Sequence, residues 1–81
     1  MVKVLFFARL RQQLGRGEMT LADFSGSLGD LRETLCEQHP DWRAHLQRED
    51  IRMALNQALA DTGDRVQAGD EVAFFPPVTG G

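Results

Sequence analysis

Apolar positions alternate with a period of two in stretches at opposite ends of the chain. Val2-Lys3-Val4-Leu5-Phe6-Phe7-Ala8 is β-branched and aromatic and predicts a strand. Val2, Val4 and Phe6 fall on one face, and Lys3, Leu5 and Phe7 on the other. Both faces are largely apolar, which places this strand in the middle of a sheet. Glu71-Val72-Ala73-Phe74-Phe75 predicts the last strand, stopped by Pro76 and Pro77, which have no amide donor for a ladder.

Between these ends the pattern changes. Arg9 to Leu14 predicts a short helical turn closed by Gly15, and Glu18 to Phe24 alternates as a second strand, paired with the first through a long loop. Ser27 has the character of an N-cap, with Asp30 as its capping-box partner. Leu28, Leu31 and Leu35 follow at helical spacing, with Arg32, Glu33 and Glu37 on the far side. Pro40 ends that helix near His39, and Trp42 and Leu46 suggest a further turn. Ile51 to Ala60 is readable two ways: Ile51, Met53 and Leu55 alternate as a strand does, while Leu55 and Leu59 keep helical spacing. The preferred reading is two short strands around a turn at Asn56-Gln57. Turns follow at Asp61–Asp64 and Ala68–Asp70. Pairing the first and last strands centrally requires a parallel arrangement with a long crossover. The expected fold is α+β: a β-grasp, ubiquitin-like mixed sheet on one main helix, spanning residues 1–75. A flexible, extended C-terminal tail, residues 76–81, is expected to follow it.

Composition narrows the function. The 81 residues suffice for one domain, and 42% hydrophobic with 26% charged is ordinary for a folded protein. Nine basic residues against twelve acidic ones leave a net charge of −3. Such a chain has no general electrostatic reason to seek nucleic acid or an anionic membrane. Val4 to Ala8 is too short to span a bilayer, so the expected compartment is the cytoplasm. One cysteine, Cys36, makes neither an internal disulfide nor a cysteine cage and reads as a buried filler. His39 and His45 are isolated, so no metal site is expected. No constellation of nucleophile, base and oxyanion site suggests free-standing catalysis.

The chemistry concentrates in Phe75-Pro76-Pro77-Val78-Thr79-Gly80-Gly81, a run without a charged side chain. The prolines and the β-branched pair favour extended backbone. Residues 77–81 reach roughly 17 Å at about 3.3 Å per residue. Gly80 and Gly81 make the end thin enough for a narrow tunnel. The functional group presented is the Gly81 carboxylate. It is ionised at neutral pH and electrophilic only after activation, most simply as an acyl-adenylate. The bland alternative is a frayed end.

Phe7-Ala8-Arg9-Leu10-Arg11, Asn56-Gln57 and the whole of residues 69–81 resemble the small-subunit family of molybdopterin synthase, the ubiquitin-like sulfur carriers of molybdenum cofactor synthesis. The resemblance covers the chain in length and order of elements. It implies a protein that is not an enzyme on its own and binds no cofactor tightly. Gly81 would be adenylated by an activating enzyme using ATP and Mg²⁺, then converted by a sulfur-donating enzyme to a thiocarboxylate, 1-thioglycine. The tail, with Pro76, Pro77, Val78, Thr79 and Gly80, would enter the large synthase subunit within a heterotetramer. There the sulfur would attack a cyclic pyranopterin monophosphate. Phe7, Phe75 and Leu59 are expected to form an apolar docking patch at the root of the tail, with Arg11 at its border. The alternative for the three apolar residues is ordinary core. Rival functions are a sulfur carrier for thiazole synthesis or tRNA thiolation, a protein modifier joined through isopeptide bonds, and an interaction module with an inert tail.

Overall fold

The computed structural model describes residues 1–77. Strands β1 (Val2–Phe6), β2 (Glu18–Leu21), β4 (Arg52–Leu55), β5 (Ala58–Ala60) and β7 (Glu71–Phe75) form one mixed sheet in the order β2-β1-β7-β4-β5. The two most apolar strands lie side by side, as expected. β1 and β7 are parallel, with Val4 opposite Val72 and Phe6 opposite Phe74. Every other pairing in this sheet is antiparallel.

The helix α2 (Leu28–Gln38) starts where the sequence places it. Ser27 Oγ accepts the Asp30 amide at 3.0 Å, and Asp30 accepts the Ser27 amide at 3.2 Å. The next orphan amides are also satisfied: Leu28 donates to the Asp64 carbonyl and Gly29 to the Thr62 carbonyl. Leu28, Leu31, Leu35 and Cys36 are buried against one face of the sheet. Each buried leucine contributes roughly 1.5–3 kcal/mol relative to exposure. Val2, Val4, Phe6, Val72 and Phe74 supply the sheet side of this core. The Phe6 ring stacks on Phe74 with centroids 5.9 Å apart and meets Trp42 edge-on at 5.3 Å. Trp42 ends a 3₁₀ turn (Pro40–Trp42) that runs into the short helix α3 (Arg43–Leu46), the additional turn anticipated after Pro40.

Three features depart from expectation. β2 stops at Leu21 rather than Phe24, because Asp23 adopts a left-handed φ of 59° that no strand accommodates. Phe24 nevertheless packs against the core. β1 stops at Phe6, and Ala8 takes φ 56°, ψ −135° before the helix α1 (Arg9–Leu14). A two-stranded ladder, β3 (Gly26–Ser27) with β6 (Arg65–Val66), was not foreseen, since two residues carry no readable period. Among the described residues, no helix is long and apolar enough to cross a membrane.

The capping box makes a direct stability prediction. Ser27→Ala should cost about 1 kcal/mol. Thermal unfolding would show it as a midpoint lower by roughly 4–8 °C. An unchanged midpoint would mean that the 62–64 turn alone anchors the start of α2.

Candidate functional site

The helices cover one face of the sheet and leave the other open. Cross-strand register lines up Leu5, Ala73, Ala54 and Leu59 in a single row across β1, β7, β4 and β5. Alanines occupy the two central strands, and larger side chains the outer two. The result is a hollow of about 520 Å³ with Leu5, Ala54 and Ala73 in its lining. Phe7, Phe75 and Leu59 rim it, and Gln57 and Glu71 complete it. Phe7 is 48% exposed and Leu59 75%, so neither belongs to the core. Phe75 is half-buried.

Phe7 is held firmly for an exposed aromatic. Its amide donates to the Phe74 carbonyl at 3.1 Å, which extends the β1–β7 ladder past the end of β1. Its carbonyl accepts the Leu10 amide at 3.2 Å, closing a tight turn with Ala8 at the second position. The Ala8 dihedrals are those of the first central residue of a type II′ turn, a position that favours glycine. This strained turn directs the chain away from the sheet and leaves the Phe7 ring on the open face beside Phe75.

At the opposite end of the hollow, the β4–β5 hairpin turns through Asn56 and Gln57, with φ of 52° and 70°. Positive φ at both central residues is the signature of a type I′ turn, the hairpin geometry that matches strand twist. Asn56 locks this turn to the start of β7. Its side chain accepts the Glu71 amide at 3.0 Å and donates to Asp70 at 3.1 Å, and its own amide donates to the Glu71 carbonyl at 2.7 Å. The other Asp70 carboxylate oxygen accepts the Gln67 amide at 2.8 Å. That backbone donor, followed by the Asn56 amide, lowers the Asp70 pKa below the ordinary aspartate value. Turn chemistry accounts for Asp70, as the sequence suggested, and the same network fixes the hairpin that carries Gln57.

Arg11 is exposed on α1, and its guanidinium lies where a Cβ on Gly17 would meet it at 2.7 Å. It is not among the side chains lining the hollow. Pro76 and Pro77 are half-buried beyond the last strand. The expectations for Val78, Thr79, Gly80 and Gly81 lie outside the described residues. Cys36 is buried, and that burial raises its thiol pKa, so it stays protonated and unreactive at neutral pH. His39 stacks on Trp42 with ring centroids 3.9 Å apart. Ala54, Ala73, Gln57 and Glu71 carry no local sequence signal that marks them for the site. Only the register of three strands brings them together.

A mixed five-stranded sheet gripping one main helix, with an apolar open face at the root of the C-terminal segment, defines a ubiquitin-like β-grasp protein. The chain belongs to the ThiS family, whose pattern matches residues 4–81. It is 40% identical over 81 residues, covering all of both chains, to the molybdopterin synthase sulfur carrier subunit of Haemophilus influenzae. Small archaeal modifier protein 1 of Haloferax volcanii has the same fold, with a TM-score of 0.82 at 29% identity, covering 99% of this chain and 98% of that one. A protein–protein complex of subunits 1 and 2 of the molybdopterin-converting factor from Helicobacter pylori contains a chain matching at TM-score 0.71 and 25% identity, covering 99% of this chain and 97% of that one.

The Asp70 network predicts a pH effect. A depressed folded pKa contributes stability in full above the unfolded aspartate value of about 3.9. That contribution is lost as pH falls through the folded pKa. Chemical denaturation between pH 7 and pH 2 should therefore show a smaller acid-side loss of stability in Asp70→Asn than in the parent. Parallel curves for the two proteins would remove Asp70 from the account.

Proposed function

We propose that this chain is the sulfur-carrier subunit of a molybdopterin synthase. The observation that carries the reading is the apolar patch of exposed Phe7 and Leu59 with half-buried Phe75, around a hollow at the tail root, together with the Gly80-Gly81 pair. The relatives at full-length identity and the two-subunit complex of the converting factor support it. In this proposal the domain binds, and the Gly81 carboxylate reacts. An activating enzyme uses ATP and Mg²⁺. The carboxylate oxygen attacks the α-phosphorus and pyrophosphate leaves, giving an acyl-adenylate. A sulfur-donating enzyme then supplies sulfur at the oxidation level of sulfide. This sulfur attacks the acyl carbon, a C–S bond forms as the C–O bond to the phosphate breaks, and AMP leaves. The thiocarboxylate produced is anionic and nucleophilic through sulfur.

Delivery requires a partner. The large synthase subunit takes the tail into its own site, where the sulfur displaces an oxygen substituent from the side chain of a cyclic pyranopterin monophosphate. Water then cleaves the acyl C–S bond, leaving sulfur on the pterin and returning Gly81 as a carboxylate. Two such transfers build the dithiolene. A carrier with net charge −3 and an uncharged threadable end suits a basic partner pocket, and charge complementarity chiefly raises encounter rate and specificity. The heterotetramer follows if each half of a large-subunit dimer carries one small subunit. Pro76 and Pro77 give the segment leaving β7 limited backbone freedom, which lowers the entropy lost on insertion.

A second reading draws on the likeness to the archaeal modifier. The same adenylate, attacked by a lysine amine with loss of AMP, would yield an isopeptide bond. Covalent adducts on other proteins distinguish that outcome from a sulfur carrier.

Deleting Gly81 tests the carrier reading. The shortened protein should fold with the parent's circular dichroism and unfolding midpoint, and support no dithiolene formation with activating enzyme, sulfur source and large subunit. Dithiolene formation at the parent rate would defeat the proposal.

A further inference from the structure

The hollow has an apolar end and a polar one, and the polar end is built at a cost. Gln57 sits at φ 70°, at a hairpin position where glycine is the favoured residue. A left-handed conformation is unfavourable for a residue with a side chain. Asn56 already makes the hydrogen bonds that hold the turn. Among the described residues, no hydrogen bond engages the Gln57 side chain, although it lines the hollow. A strained residue whose side-chain amide makes no internal hydrogen bond points to an external partner.

Glu71 lies beside it. Its cross-strand neighbour on β1 is Lys3, but the Lys3 ammonium pairs with Glu18 on β2 at 3.6 Å. Among the described residues, no cation lies within ion-pairing distance of the Glu71 carboxylate. Glu71 is half-buried in the lining of an otherwise mostly apolar hollow. A carboxylate and a neighbouring amide oxygen make an acceptor-rich pair, the arrangement that a guanidinium or ammonium group satisfies.

We infer that Gln57 and Glu71 form a receptor for an arginine or lysine side chain of the protein that docks on this face. The inference rests on the reading of that face as the carrier's docking surface. Glu71 and Phe75 share a face four residues apart on β7, a separation of about 13 Å at roughly 3.3 Å per residue. The docking partner therefore presents an apolar group to the Phe7–Leu59–Phe75 rim and a cation about that far away. The apolar end supplies the anchor, and the polar end sets orientation and excludes partners that lack the cation.

The test is calorimetric titration of the full chain with the large synthase subunit of the same organism, at low salt and at high salt. Glu71→Gln should weaken binding about tenfold at low salt, the scale of one hydrogen bond to a charged group, and should flatten the salt dependence. Gln57→Gly should also weaken binding while raising the unfolding midpoint, because it relieves the turn. A purely structural role for Gln57 would move stability and leave binding unchanged. Phe75→Ala serves as the control for the apolar end. If Phe75→Ala loses binding while Glu71→Gln and Gln57→Gly bind as the parent does, the cation receptor is overturned and the docking face stands. If the parent itself fails to bind, the docking reading falls and takes the receptor with it.

Discussion

The parallel pairing of β1 with β7 is the constraint on which the molecule depends. It joins the first strand to the last, so everything between them is one long excursion that must return in register. Such closure is costly in chain entropy, and the return is secured by side-chain burial on the helix side. Phe6 and Phe74 stack across the pairing, with Val4 and Val72 one rung below. The same hydrogen-bond ladder places Phe7 next to the point where the chain leaves the sheet at Pro76. Phe7 and the point where the chain leaves β7 are neighbours because the strands are parallel. An antiparallel pairing would put them at opposite ends of the sheet.

Period-two alternation then divides the work between the faces. Val72 and Phe74 build the core, while Ala73 and Phe75 face outward. The helices cover the first set, and nothing among the described residues covers the second. A central pair of alanines flanked by larger residues turns a flat sheet face into a shallow receptacle. Cys36 and the core aromatics take no part in it. In the proposed function the domain contributes position and recognition, and the chemistry falls to the last carbonyl and to the enzymes that act on it.

Much of this was legible in the residues. The two central strands announce themselves by apolar residues on both faces, α2 by Ser27 and Asp30, and the last strand's end by Pro76. Phe7 lies on the face that alternation gives it, away from Val4 and Phe6, and is exposed there. Other features depend on information no local pattern holds. The alanines at 54 and 73 look like weak strand formers until register sets them side by side. Gln57 looks like an ordinary turn residue until its dihedrals and its place in the hollow are known together. Asp23 ended β2 early through a backbone conformation that its alternating neighbours concealed. Arg11, expected at the patch border, is exposed on α1 beside Gly17.

In the proposed function a β-grasp domain offers its C-terminal carbonyl as a removable sulfur handle. Intact mass spectrometry of the chain isolated from its own host tests that most directly. The account predicts a population heavier than the unmodified chain by the difference between one sulfur and one oxygen atom, with fragmentation placing the change at Gly81. A chain found only with an ordinary carboxylate, even when its sulfur acceptor is depleted, would contradict it.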